Sequence, residues 1–480
     1  MEKSNSLPVA VIGAGPVGLA AAAHLAIRNQ PFLLFEAGGS VAANILTWQH
    51  IRVFSPWRYN IDKAAKQLLA QTHWLQPHDD GLPTGKELYE HYFKPLSEHP
   101  ALQRHLHLRS KVIAIGRVGL DKMKTAGRER LPYAVQVLHN NHVEQFLVKA
   151  VIDTSGTWNS PNPIGSGGTF AIGEQENSSR IFYGIPDILN THAGRYKNKS
   201  VLVVGSGHSS INAVLELDKL KEQYPDTQIH WVLRKQNIYD VYGGQEKDTL
   251  EARGALGIKI EQLVNQDRVS VYTPFHIQQV VNTGTNLSVV GLQNENKFAL
   301  PGIDEVISNT GSRPDLSFLR EVRISIDSSL ECVAALAELI DPNIHSCGTV
   351  RPHGEKELRH PDHGFYIAGS KSYGRAPTFL MATGYEQVRS IAAAIDGDLE
   401  AARKVELDLP ETGVCNATAG NIEAAACCGT APEGQKKQAA TSCCTPKIEN
   451  TACCEPSQTK EENNGDCCAQ PQDGSACCDK

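Results

Sequence analysis

VAVIGAGPVGLAAAAHLAIRNQPFLLFEAG, residues 9–38, decides how the chain is read. Four apolar residues, Val9–Ile12, predict a buried strand. A glycine turn follows, then an alanine-rich helix, then a second apolar strand that ends at Glu36. Gly13, Gly15 and Gly18 stand in G-x-G-x-x-G spacing. The first glycine permits the tight turn, the second lets backbone approach a pyrophosphate, and the third lets helix pack on strand. The free N–H groups and dipole of the helix N-terminus suit phosphate. A carboxylate at the end of the second strand suits ribose hydroxyls. Strand, turn, helix, strand and acid together predict a dinucleotide site.

The run from Val9 to Ile27 is nearly uncharged and long enough to suggest a membrane span or a signal peptide. Glycine and proline break its first half and His24 its second, so it reads as strand, turn and buried helix. With no other candidate anchor, the chain reads as cytoplasmic. Its 480 residues are 41% hydrophobic and 21% charged, enough apolar material for two or three domains. Net charge is −7 and no Lys/Arg block stands out, which argues against nucleic-acid and anionic-membrane partners.

The pattern returns at Ser200 as SVLVVGSGHSSINAVLELDKL followed by TQIHWVLRK. Here Gly205, Gly207 and Ser210 occupy the motif, serine being small enough for close helix packing. The second strand leads to Arg234 and Lys235 instead of an acid. A cation there suits a 2′-phosphate, so NADPH is expected over NADH, which stays possible. The competing reading is two solvated surface charges, favoured for Lys235 and not for Arg234. An acid in the first site and a base in the second predict FAD first and NADPH second.

Between the repeats the sequence predicts a loop-rich stretch over 41–80, a helix over about 84–99 and a β-meander over 106–151. AVIDTSGTWNSPNPIG closes this part, with Pro161 and Pro163 marking an exit, and DEVISNTGSRPDLSFL begins the return at Asp304. The expected organisation is α/β: an FAD domain formed by 1–164 and 304–410, an inserted NAD(P)H domain over 165–303, and a disordered tail over 411–480 that lacks aromatic residues.

GAGPVGLAAAAHL, GTWNSPNP, VVGSGHSS and NTGSRPD together resemble the flavin-containing monooxygenase-like group of two-dinucleotide flavoproteins, over about residues 8–410. FSPWRYNID, YGIPD, YGGQEKDTLEARGALG, KSYGRAPTFLMATGYEQVRS and LPETGVC are similar to the flavoprotein oxidoreductases of bacterial arsenic-resistance gene clusters. The resemblance implies a flavin at the junction of a larger FAD domain and an inserted NADPH domain. One departure matters. The monooxygenase fingerprint has Phe-x-Gly before a His-Ser pair, whereas FYGIPDILN keeps Phe182 and Gly184 but continues with Pro186 and Asp187. This points away from N- or S-oxygenation of ordinary organic substrates. No C-x-x-C lies near either nucleotide domain, which disfavours a dithiol relay.

GFYIAGSKSYGRAPTFLMATGYEQVRS is expected to make the second flavin contact. A strand over 365–368 ends at Gly369, and a helix begins near Thr378–Thr383, giving Gly369, Thr378, Phe379 and Leu380 as cofactor candidates. By the resemblance, that helix points its N-terminus at the flavin, where its dipole favours the reduced anion. Trp48, Trp57 and Tyr59 either wall the flavin pocket or fill a satellite core. The chemistry is expected to be flavin-borne, with Trp57, Asp248 and Arg253 as weak catalytic candidates. His208, after the second glycine turn, reads as a helix-start polar residue. Cys332 and Cys347 read as structural thiols, with a redox pair as the alternative.

Eleven of thirteen cysteines lie at or after Cys415. Ten form adjacent pairs: Cys427–Cys428, Cys443–Cys444, Cys453–Cys454, Cys467–Cys468 and Cys477–Cys478. A disulfide framework would spread through the fold. Adjacent pairs do not supply the C-x₂₋₄-C spacing of zinc knuckles, and no histidine follows His363. All-sulfur ligands favour soft ions such as Cu(I), trivalent arsenic or mercury. A redox role through strained disulfides, or no chemistry at all, are the other readings. The function expected from all this is an FAD- and NADPH-dependent oxidoreductase, a monooxygenase using molecular oxygen on a small soft nucleophile such as a trivalent arsenical. The alternative is an NAD(P)H–flavin reductase or oxidase whose tail sequesters or delivers thiophilic metal or metalloid ions.

Overall fold

The computed structural model of this chain describes residues 7–243, 245, 251–342 and 350–407. These belong to one compact unit, 1–420. The tail with its ten paired cysteines, and Asp248 and Cys347, lie outside the described residues.

The opening stretch folds as strand β1 (Val9–Ile12), helix α1 (Pro16–Ile27) and strand β2 (Phe32–Phe35). Helix α1 is buried from Val17 to Leu25, because it is apolar on every side and covered on every side. Full burial of Leu19 and Leu25 contributes roughly 1.5–3 kcal/mol each. Among the described residues no helix is long and apolar enough to cross a membrane.

Strand β3 (Leu106–His107) extends the first sheet, and the meander β4 (Ser110–Arg117), β5 (Tyr133–His139) and β6 (His142–Val148) forms a separate antiparallel sheet. Strand β7 (Ala150–Asp153) returns to pair with β1, Val9 beside Ala150. The second domain begins with β8 (Ile181–Tyr183) and β9 (Ser200–Val204), followed by helix α2 (His208–Gln223) and strand β10 (Gln228–Val232). Helix α3 (Glu251–Asn265) and strand β11 (Ser270–Tyr272) precede a second meander, β12 (Phe275–Asn282), β13 (Leu287–Gln293) and β14 (Asn296–Ile303). Strands β15 (Glu305–Ser308) and β16 (Phe365–Ile367) and helix α4 (Met381–Ile395) complete the main elements.

Two five-stranded parallel sheets result, in the orders β16-β7-β1-β2-β3 and β11-β10-β9-β15-β8. They are copies of one plan: β1 and β9 start each nucleotide unit, β7 and β15 flank them, and each sheet carries a three-stranded antiparallel meander. The fold is therefore α/β with two Rossmann-like domains. The apolar core of the first domain runs from Val9 to Ile152 and resumes from Leu319 to Ala392. The two faces of the second sheet hold their own clusters within Ile164–Ile307. One boundary moves. Glu305–Ser308 pairs with β9 in the second sheet, so the return crossing lies after Ser308 and not at Asp304. The strand's apolar residues read the same in either domain, and only pairing assigns them.

The expected helix at 84–99 exists with a wide π-type turn at Tyr89–Phe93. Pro95 has no N–H to offer the carbonyl four residues earlier, His91. The indole of Trp74 donates to that carbonyl instead, at 2.7 Å. The loop-rich stretch 41–80 contains three short helices, Ala43–Leu46, Trp57–Asn60 and Lys63–Leu69.

Candidate dinucleotide sites at the domain junction

The two glycine motifs are built alike. At Gly13 the backbone adopts φ +91°, and an added Cβ would lie 2.9 Å from Ser155 Cα and Thr154 O. At Gly18 it would come within 1.8 Å of the Gly13 carbonyl oxygen, so this glycine serves packing alone. Gly15 differs, since nothing lies within 4 Å of the position of its Cβ. Gly15 caps α1, with Pro16 in the first turn, where a missing N–H costs nothing. Its open side faces a cavity of about 630 Å³.

Glu36 lines the same cavity. Its carboxylate accepts from the Ala14 N–H and the Gly38 N–H, both at 2.7 Å. It thus braces the glycine turn as well as presenting an acceptor at the end of β2. The opposite wall is the chain after β7. Thr154 Oγ1 donates to the Ile12 carbonyl at 2.8 Å and lies 3.0 Å from that of Gly13, locking this wall to the turn.

At the crossing segments the cavity wall includes Thr157–Ser160 and Asp315. Trp48 and Trp158 both line it, ring centroids 6.5 Å apart. Trp158 packs on Gly184, just after β8, whose added Cβ would lie 3.6 Å from Cζ2. Nearby, Phe54 of the first domain meets His208, the first residue of α2, at 5.2 Å. The two crossing segments are laced together. Asn162 N–H donates to Gly311 O at 2.9 Å, Thr310 Oγ1 to Asn162 O at 2.6 Å, and Arg313 Nε to Asn162 Oδ1 at 3.0 Å.

In the second motif Gly205 has φ +134°, and an added Cβ would lie 2.3 Å from Asn309 O. Gly207 caps α2 and, like Gly15, has nothing within 4 Å. Ser210 is fully buried, and its hydroxyl donates to Gly207 O at 2.6 Å. Serine in the third position therefore adds a bond to the loop that glycine cannot make. Arg234 is exposed beside this loop, with Nη1 donating to Ser166 O at 3.2 Å. Lys235 turns aside and donates to Asp240 O at 2.7 Å, and burial lowers its pKa.

Of the expected contacts after β16, Gly369 (φ +74°) and Phe379 line the cavity. Thr378 is buried and Leu380 caps α4, and neither lines it. Met381 does. Trp57 packs in the core beside Gly81, only 6% exposed and away from the cavity wall. Tyr59 lines a different cavity of about 460 Å³. Arg253 is buried on α3 and is likewise absent from the first cavity's wall. Cys332 is fully buried, and burial pushes its thiol up to about 12.

Sequence reading missed Ser155, Asp315, Phe318 and Met381 as wall residues and did not assign Trp158 a role. The crossing stretches AVIDTSGTWNSPNPIG and DEVISNTGSRPDLSFL signalled the first three only as linkers. Burial works to raise Asp315, but hydrogen bonds from Ser317 and the charges of Lys371 and Lys111 hold it below the usual carboxylate value.

Residues 11–77 match the family model described as an NAD(P)-binding Rossmann-like domain. Curated protein sequences give no match. Solved structures share the fold at low identity. The bacillithiol disulfide reductase from Bacillus cereus aligns with TM-score 0.61 and 17% identity, over 82% of this chain and 99% of its own. The FAD-bound cadaverine monooxygenase from Erwinia amylovora gives 0.58 and 12%, over 84% and 97%. The ornithine N-hydroxylase from Kutzneria sp. 744, solved with reduced FAD and NADP+, gives 0.52 and 15%, over 83% and 100%. This chain has the fold of flavoprotein oxidoreductases built from two dinucleotide-binding domains.

Proposed function

We propose that this chain is an FAD-dependent oxidoreductase that consumes NADPH and oxygenates a small soft nucleophile, for which a trivalent arsenical is the fitting case. The observation that carries the reading is the pair of open glycine cradles, one beside Glu36 and one beside Arg234, with a cavity running from the first to the junction with the second domain. The residues fit the cofactors. Gly15 and Gly207 each leave room where a side chain would exclude a phosphate. Glu36 can accept from ribose hydroxyls, and exposed Arg234 can face a 2′-phosphate.

FAD held here would supply an acceptor for the hydride of NADPH and a donor of electrons to oxygen. The chain's part is to bind, orient and exclude water. The N-terminus of α1 holds diphosphate, and Gly369 and Phe379 close the wall near the start of α4. Trp48, Trp158 and Met381 add apolar surface to the cavity wall, which disfavours water there. For arsenite the balance is one NADPH, one proton and one O₂. One oxygen atom goes to arsenic, giving arsenate, the other leaves as water, and NADP+ is released. In this reading the paired cysteines from Cys427 to Cys478 capture the soft ion for the body.

A second reading is a reductase or oxidase with a sequestering tail. The shared fold of a disulfide reductase favours it. Against an internal dithiol relay, Cys332 is the single cysteine among the described residues, and it is buried with a raised pKa. The test is NADPH oxidation with and without arsenite, for the full chain and a chain ending at Leu409. Stimulation in both, with arsenate formed, supports oxygenation by the body. No stimulation in either, with arsenite retained by the full chain, sinks it and leaves the second reading.

A further inference from the structure

Beneath the cavity wall lies a fully buried ion pair that the cofactor motifs do not include. Lys371 Nζ is 2.7 Å from Asp153 Oδ2, and both side chains are 0% exposed. Asp153 ends β7, and Lys371 lies in the short turn that follows β16. The other carboxylate oxygen, Asp153 Oδ1, accepts from Ser155 Oγ at 2.7 Å and Ser155 N at 3.0 Å. Lys371 also reaches Ser155 Oγ at 3.1 Å and sits 4.4 Å from the centre of the Phe318 ring.

Each group the ammonium touches leads to the cavity. Ser155 and Phe318 line it, and so does Ser370, the neighbour of Lys371. Ser370 Oγ would lie 3.5 Å from a Cβ at Gly156, so the Ser155–Gly156 and Gly369–Ser370 segments face each other across this pair. Gly369 N–H is separately held by the buried amide of Gln387 at 2.7 Å. Withdrawing two charges from water is costly, and an apolar pair of equal volume often packs as stably. Packing alone therefore does not call for ions here.

We propose that Lys371 and Asp153 are positioning residues for FAD: they fix Ser155 and Ser370, from two distant stretches of chain, at the spacing that lets both segments bind the cofactor. The inference rests on the reading of the cavity as the FAD site. The pair sets the wall opposite the glycine turn, while Thr154 fixes that wall to the turn itself. The flavin's hold on the protein then depends on an ion pair that does not touch it.

The test is FAD titration of the cofactor-stripped full chain, followed by flavin fluorescence, with thermal unfolding of the stripped protein measured in parallel. The parent must bind FAD: failure there overturns the cofactor reading and the role of the pair with it, whereas a parent that binds and a folded variant that binds equally well overturn the role of the pair alone. The double variant Asp153→Asn/Lys371→Met removes both charges and leaves neither unpaired. The expected result is a stripped-protein Tm within about 3 °C of the parent, but an FAD Kd raised about tenfold or more and a shifted visible band of the bound flavin. FAD affinity within about twofold of the parent in this folded variant overturns the proposal. If the double variant does not fold, Ser155→Ala, at the half-buried end of the network, decides by the same limits: weaker FAD binding at unchanged Tm supports it, and parent affinity overturns it.

Discussion

Gly15→Ala and Gly18→Ala add the same methyl group three residues apart, and the structure assigns them different consequences. At Gly18 the new Cβ would stand 1.8 Å from Gly13 O and 2.7 Å from Thr154 Oγ1. No rotamer relieves a clash with backbone, so the turn must move, at a cost of about 1–3 kcal/mol or more. At Gly15 the backbone is extended, φ −74° and ψ −173°, which alanine also adopts, and nothing lies within 4 Å. The fold then loses only the helix-cap preference of glycine over alanine, about 1 kcal/mol or less. The methyl instead stands where a phosphate must approach the backbone. Displacing it costs about 1.4–2.8 kcal/mol, a ten- to hundredfold rise in the FAD Kd. The assay is FAD binding to the stripped protein beside its thermal unfolding. Gly15→Ala is expected to lower affinity with Tm nearly unchanged, and Gly18→Ala to lower both. Parent-like FAD affinity in Gly15→Ala would refute the assignment of this loop as the phosphate cradle.

Arg234→Gln is expected to raise KM for NADPH about tenfold and leave NADH unaffected; equal effects on the two would remove the 2′-phosphate role. His360 is 7% exposed, and burial pushes its pKa down to about 4. The unfolded chain takes up this proton near pH 6.5, so stability present above that pH is lost as pH falls toward 4, by at most about 3 kcal/mol. His360→Asn keeps an acceptor for the Ser325 N–H, and it should flatten the acid limb of a Tm-against-pH curve. Glu216 behaves oppositely. Burial, then the charge of Asp187, raises it to about 7, so the folded state holds its proton and stability declines as pH rises from 4.5 through 7. Glu216→Gln should recover about 1–2 kcal/mol at pH 8, read by urea unfolding, and a variant no more stable than the parent at that pH would count against the burial argument.

Local sequence determined the two nucleotide units. A four-residue apolar strand, a glycine turn, a small-residue helix and a second strand form a contiguous signal, because each part is set by steric and burial rules acting over a few residues. The places of Gly13, Gly15, Glu36, Gly205, Gly207 and Gly369 in their turns and at their strand ends were legible for that reason. So was the substitution at Ser210, although the bond it makes to Gly207 was not. Tertiary structure alone decided what depends on long-range pairing. Glu305–Ser308 joins the second sheet because β9 offers it an open edge, which no local pattern encodes. Trp48 became a cavity wall and Trp57 a core residue, since two nearby aromatic residues differ only in which direction the fold turns them. Asp153 and Lys371 are 218 positions apart and carry opposite charges in unremarkable contexts. Only the meeting of β7 and β16 in one parallel sheet brings them within 2.7 Å, where the low-dielectric interior makes each require the other.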